Sequence, residues 1–98
     1  MTAIRRKTAE HLSHAWHTIP HVTQFDEADI TALLELRKKF APAYEAKGTR
    51  LTLTSFALKA VAATLKKHPI FNSSLDEVAN EIVLKEYVHL GLAVDTDA

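Results

Sequence analysis

Thr8, Leu12, Ala15, Trp16 and Ile19 recur at steps of three and four. That spacing predicts an amphipathic helix over residues 3–17, stopped by Pro20. His21-Val22-Thr23-Gln24-Phe25 alternates and is β-branched, which predicts a short strand. Leu33, Leu34, Leu36, Phe40 and Tyr44 then form the broad apolar face of a second helix, with Asp29 or Thr31 as its cap. Pro42 is expected to kink or interrupt that helix, because its ring clashes with the preceding turn, and Gly48 is expected to end it. Thr52, Thr54 and Ser55 offer caps for a third helix. Its run from Phe56 to Leu65 has almost no polar side and predicts burial on most faces. Lys66 and Lys67 suit its C-terminal dipole, and Pro69 stops it. Asn72-Ser73-Ser74 reads as loop or short strand, and Ile82–Leu84 as a strand. From Tyr87 to Val94 the alternation is clean, with Val88, Leu90, Leu92 and Val94 on one face, predicting a last strand. Such a strand beside a nearly all-apolar helix calls for covering structure, so the chain is expected to associate or stay partly disordered.

Composition narrows the classes. Ninety-eight residues, 47% apolar and 24% charged, describe one small globular domain at most. The absence of Cys removes disulfides, thiolate nucleophiles and cysteine-ligated zinc. The two glycines, Gly48 and Gly91, are too far apart for a dinucleotide fingerprint or a P-loop. No run approaches the roughly 20 apolar residues of a membrane span, and the basic start Arg5-Arg6-Lys7 is not followed by a signal's apolar stretch. No membrane role is expected, and the cytoplasm is the default location. The net charge of +0 argues against a dedicated nucleic-acid binder. The charges are nevertheless segregated. Residues 37–67 hold Arg37, Lys38, Lys39, Lys47, Arg50, Lys59, Lys66 and Lys67 against Glu45 alone, between acidic segments on either side. A solvated helix face explains this as simply as an anionic ligand does.

Candidate chemistry read from residue types alone is sparse. His11, His14, His17 and His21 do not make a metal site: steps of three drift around a helix, and no acid stands at ligand spacing among them. Ser13 and His17 are four apart but lack an orienting acid. His89 lies in the predicted last strand and reads as a structural imidazole. Asp95 and Asp97 follow that strand, where sites are often built and solvated acids are common.

Ile19-Pro20-His21-Val22-Thr23-Gln24-Phe25-Asp26-Glu27-Ala28-Asp29-Ile30-Thr31 resembles the opening of the catalytic domain of the dihydrolipoamide acyltransferases, core components of 2-oxoacid dehydrogenase complexes. Three further segments match in the family's order: Arg5 to Leu12, Pro69-Ile70-Phe71-Asn72-Ser73-Ser74-Leu75, and Val88-His89-Leu90-Gly91-Leu92-Ala93-Val94-Asp95-Thr96. Together they span essentially the whole chain, and their wording is most similar to the pyruvate, acetyl-transferring branch. The resemblance implies an α+β fold, part of a chloramphenicol-acetyltransferase-like architecture with helices on one side of a mixed sheet. It implies homo-oligomers built from trimers, with the site between neighbouring subunits. The family moves an acyl group between a lipoyl thiol and coenzyme A, using a histidine as general base and a serine hydroxyl on the oxyanion.

The family's catalytic histidine belongs to an HxxxDG motif, and none of the 6 histidines here is followed by Asp-Gly at that spacing. The resemblance therefore implies that residues 1–98 are the N-terminal part of a catalytic domain, truncated before its C-terminal half, with no lipoyl or peripheral-subunit-binding domain and no catalytic residue of its own. It places Arg37, Thr52 and Asp95 on the coenzyme A side of the channel, with coenzyme A or acetyl-CoA as substrate, the lipoyl group on another domain and no metal. Arg37 is expected to pair with Asp95 in the empty site, a bridge that would equally serve to fix helix to strand. The expectation is a chain inactive by itself. The alternatives are a non-catalytic coenzyme A-binding or assembly module, or half of a site completed by a second chain. Its expected partners are further copies of itself, aggregation through exposed apolar faces, or a polypeptide supplying the missing half.

Overall fold

The computed structural model describes residues 1–97. Helix α1 spans Ala3–Thr18, and the Thr2 side chain caps it by accepting from the Arg5 amide at 3.2 Å. Its first turn holds no acid, so Arg5 and Arg6 face the positive end of the helix dipole, while Lys7 pairs with Glu10 at 3.3 Å. Helix α2 spans Thr31–Ala46. Ile30 occupies its cap position, and Asp29 does the capping from one residue earlier by accepting from the Thr31 amide at 2.9 Å. Of the two outcomes expected at Pro42, a kink or an interruption, the interruption does not occur: α2 is continuous through it. Neither an acid in its first turn nor a base in its last turn assists α2 through the helix dipole.

Gly48 ends α2 in a left-handed conformation, φ 78°. The Thr49 amide reaches back to the Tyr44 carbonyl at 3.1 Å and the Gly48 amide to the Glu45 carbonyl at 3.0 Å, a Schellman closure that satisfies two otherwise orphaned carbonyls. Helix α3 spans Leu53–Lys67 with Thr52 as its N-cap. A short 3₁₀ turn, Pro69–Asn72, leads into an antiparallel hairpin of β1, Ser73–Asp76, and β2, Glu81–Leu84. Ser73 pairs with Leu84 and Asp76 with Glu81. Asp76 Oδ1 organises the connecting turn by accepting from the Val78 and Ala79 amides, both at 3.0 Å, and Asn80 takes the left-handed position at φ 57°.

Three expectations fail for one reason. Neither 21–25 nor 87–94 is a strand, and no residue of α3 is buried. Alternation marks which face a strand would bury, but a strand also needs a neighbour to accept its hydrogen bonds. Among the described residues, 88–97 form no backbone–backbone hydrogen bond, and the hairpin is a sheet of two strands only. No described residue is buried at all. Large apolar side chains face solvent throughout, with Trp16 at 73% and Phe71 at 78% exposure. The accessible surface is 9612 Å², against roughly 5,600 Å² for a compact monomer of this mass. The radius of gyration is 18.5 Å where about 13 Å is usual for this length. The α+β class expected from sequence holds, as an open arrangement without a core.

Candidate functional site

A hydrogen bond from Arg37 ties α2 to the segment before α3. The Arg37 Nε donates to the Leu51 carbonyl at 3.0 Å. Arg37 shares an α2 face with Leu33, one turn away, and Leu51 is the residue before the α3 cap, so the bond sets Arg37 beside Thr52 along the chain. Thr52 Oγ1 accepts from the Ser55 amide at 3.2 Å and lies 2.9 Å from Ser55 Oγ. Two hydroxyls sharing one hydrogen bond leave one O–H free to donate elsewhere. With one edge of its guanidinium on Leu51, Arg37 keeps terminal N–H donors for a phosphate or another polar ligand edge.

Asp95 stands apart from this pair. It lies in the irregular stretch after β2, and no hydrogen bond or ion pair joins it to Arg37 or Thr52 among the described residues. The expected Arg37–Asp95 bridge is not formed; Arg37 spends that donor on a backbone carbonyl instead. Only Lys7 and Glu10 form an ion pair among the described residues, at 3.3 Å on an exposed helix face. Arg37 is thus tied to the residue that precedes Thr52, and Asp95 is bonded to neither among the described residues.

Other side chains that drew attention find local uses. The His17 ring Nδ1 lies 2.6 Å from the Ser13 carbonyl rather than its hydroxyl, so the Ser13–His17 spacing builds no nucleophile pair. His21 stacks on Trp16 with centroids 5.4 Å apart, and the His89 ring tilts against Tyr87 at 4.7 Å. His89 is thus held by an aromatic neighbour, not by a strand. No three His, Asp or Glu side chains converge as a metal site among the described residues. Asn72 is the residue that sequence reasoning passed over. Its Nδ2 donates to the Tyr87 carbonyl at 2.7 Å and reaches the Lys85 carbonyl at 3.5 Å, while its own carbonyl accepts from the Lys85 amide at 3.1 Å. It thereby holds the start of the stretch that carries Asp95. The only signal was an amide side chain at the mouth of a hairpin.

Two open grooves accompany the site. One, about 570 Å³, runs between the start of α2 and one face of α3, and is apolar apart from Lys59. The other, about 1230 Å³, lies between the end of α1 and the hairpin, with His14, Pro20, Ser74 and Tyr87 on its walls. Neither is lined by Arg37, Thr52 or Asp95.

A three-helix α+β piece with these ordered motifs has a defined class: residues 1–98 match the 2-oxoacid dehydrogenases acyltransferase (catalytic domain) family, and the chain belongs to it. Its relatives are specific. The dihydrolipoyllysine-residue acetyltransferase component of the pyruvate dehydrogenase complex of Staphylococcus aureus (strain Mu50) is 45% identical over 95 residues, covering 97% of this chain and 22% of that protein. The corresponding Staphylococcus epidermidis component is 42% identical over the same length. Among solved structures, Azotobacter vinelandii dihydrolipoamide acetyltransferase superposes with a TM-score of 0.89 at 43% identity, covering 99% of this chain and 40% of that one. A second structure, the cubic core of the pyruvate dehydrogenase multienzyme complex, gives 0.89 at 42% identity, with the same coverage. This chain therefore spans well under half the length of the relatives it matches.

Proposed function

We propose that residues 1–98 supply the coenzyme A-facing portion of an acyltransferase catalytic domain of the acetyl-transferring type, and do not carry out acyl transfer by themselves. The observation that carries this reading is the pairing of a family match over the whole chain with the absence of HxxxDG from these 98 residues. Without a general base the attacking thiol keeps its proton, and without an oxyanion donor the tetrahedral intermediate is unsupported. Each loss typically costs two or more orders of magnitude in rate. Arg37 and the Thr52–Ser55 hydroxyl pair are the groups assigned to the ligand, Arg37 through its free guanidinium edge and the hydroxyls through their remaining O–H. Asp95 joins them when its stretch is held in place. The lipoyl thiol that exchanges the acyl group with coenzyme A is supplied by another domain, and no metal is assigned a role.

Calorimetry and a transfer assay test this reading on the purified chain. Coenzyme A is expected to bind in the millimolar range or more weakly, on the order of −4 kcal/mol, because much of the channel wall lies outside these residues. Arg37→Ala should weaken binding and Arg37→Lys should not restore it, since a single ammonium does not reproduce the planar fork. Lys47→Ala should leave binding unchanged. Equal losses from Arg37→Ala and Lys47→Ala would reduce the site to general basic charge. Acetyl transfer to dihydrolipoamide within tenfold of the intact Azotobacter vinelandii enzyme would overturn the claim of inactivity.

That no described residue is buried supports a second reading, a module whose task is assembly. It is separated from the first by coenzyme A binding: an assembly module would self-associate with no dependence on Arg37.

A further inference from the structure

His11, His14, His17 and His21 crowd the second half of α1 and the Pro20 turn, and two of them stand where a proton changes a contact. His21 lies against Trp16 across the turn that ends the helix, with ring centroids 5.4 Å apart and planes inclined by 26°. A neutral imidazole stacks there by dispersion. An imidazolium is drawn in addition to the negative face of the indole, which attracts a cation within about 6 Å of its centroid. His14 stands on the α1 wall of the groove of about 1230 Å³. The facing wall, from the hairpin and the residues just after it, carries Asp76, Glu77 and Glu86 against Lys85 alone. None of these groups forms an ion pair, so the wall keeps its excess of negative charge. A charged His14 is attracted to that excess and a neutral one is not. Tyr87 lines the same wall, and His89, which tilts on Tyr87, is not part of the lining. One group opposes: His17 lines a groove with Trp16 and His21, its Nδ1 2.6 Å from the Ser13 carbonyl, and two charged imidazoles there repel.

The end of α1 is free to answer such a pull. Residues 20–29 make no backbone–backbone hydrogen bond among the described residues, and no residue of α1 is buried. We propose that the end of α1, the Pro20 turn and the hairpin form a clasp that closes on acidification, with protonated His14 drawn to the hairpin wall and protonated His21 fixing the turn on Trp16. Imidazoles gain their proton near pH 6.5, whereas carboxylates stay charged down to about pH 4. The closed form is therefore favoured between those limits and lost as pH rises through the imidazole range. A cation–π contact and an exposed ion pair together raise the closed-to-open ratio about threefold or more.

The sequence supplies its own probes. It has 1 Trp and no Cys, so energy transfer from Trp16 to a neutral dye on Val78→Cys reads the width of the groove. Val78 is fully exposed in the hairpin turn, and a label there displaces nothing. Measurement at a dilution below which transfer no longer changes removes any contribution from association. Transfer should rise from pH 8 to 5.5, and Trp16 emission of the unlabelled chain should fall as the imidazolium settles on the indole. His14→Gln and His21→Gln should each remove at least about half of the rise in transfer. His17→Gln, which deletes the opposing charge, should retain or enlarge it. Circular dichroism at pH 8, where the clasp is open, verifies that α1 has formed in each variant. Glu77→Gln combined with Glu86→Gln leaves α1 untouched and should act as His14→Gln does. Transfer that stays constant between pH 8 and 5.5 overturns the proposal. So does a rise that survives undiminished in the His14, the His21 or the paired glutamate variant, or one that disappears in His17→Gln.

Discussion

At Gly48 and Asp29, single residues set where α2 stops and starts. Gly48 sits at φ 78°, and a Cβ there would meet nothing within 4 Å, so the cost of a side chain is purely conformational. Gly48→Ala should therefore destabilise the end of α2 by about 1 kcal/mol and Gly48→Asn by less, read from helicity against temperature. The Asp29 carboxylate accepts from both the Thr31 hydroxyl and the Thr31 amide, with the hydroxyl the larger influence, and its pKa is held below the ordinary aspartate value. A lowered folded-state value means that the contribution is fully present above the ordinary aspartate range. It is lost as pH falls through the lowered value. An acid titration of α2 helicity should show that loss in the native chain and not in Asp29→Asn, which keeps an acceptor but does not titrate in this range. Thr52 illustrates a double role at this scale. The position that sequence reasoning assigned to a ligand is also the α3 cap, so Thr52→Ala should cost about 1 kcal/mol of helix stability besides any loss of binding. Thr52→Ser should restore the cap.

At the scale of elements, each piece closes itself locally. The helices are 16, 16 and 15 residues long, close to the length below which an isolated helix is marginal in water, and each leans on its cap. Helix α2 carries a further burden, because Pro42 gives no N–H to the Lys38 carbonyl one turn back. Pro42→Ala should raise α2 stability by up to about 3 kcal/mol, measured by helix content. The hairpin depends on Asn72 in a different way, since that side chain takes the place of a neighbouring strand for the Lys85 and Tyr87 carbonyls. Asn72→Ala should leave the β1–β2 ladder formed while freeing the stretch beyond Lys85. Faster amide exchange at residues 85–88 with unchanged exchange at 74–83 would be its signature, and uniform acceleration would make Asn72 a general stabiliser of the hairpin.

For the whole molecule the defining fact is a surface without an interior. Apolar side chains make up 47% of the residues, yet no described residue is buried. A chain in this state should bind a hydrophobic dye and gain apparent mass with concentration in sedimentation. A compact, fully protected monomer with a radius of gyration near 13 Å would contradict it. The segregated charges act at this scale as well: with a basic middle and an acidic end, association of the isolated chain should weaken as salt is raised if those segments meet.

Helix positions and stops were legible in the amino-acid order, because caps, Pro20, Gly48, Pro69 and three-and-four spacing act within a few residues of where they stand. The family was legible for a related reason, its motifs being short runs of consecutive residues. The strands at 21–25 and 87–94, the burial of α3 and the Arg37–Asp95 pair were not decided there. Each requires a partner far along the chain or on another chain, and alternation or charge states only what that partner must be like. The tertiary structure decided that Arg37 turns to the Leu51 carbonyl and that Asn72 bridges to Tyr87, contacts 14 and 15 residues apart in sequence that no local preference specifies. It also decided that the apolar faces remain open, since local bonds satisfy the helices and the hairpin but cannot bury a face that nothing within residues 1–97 covers.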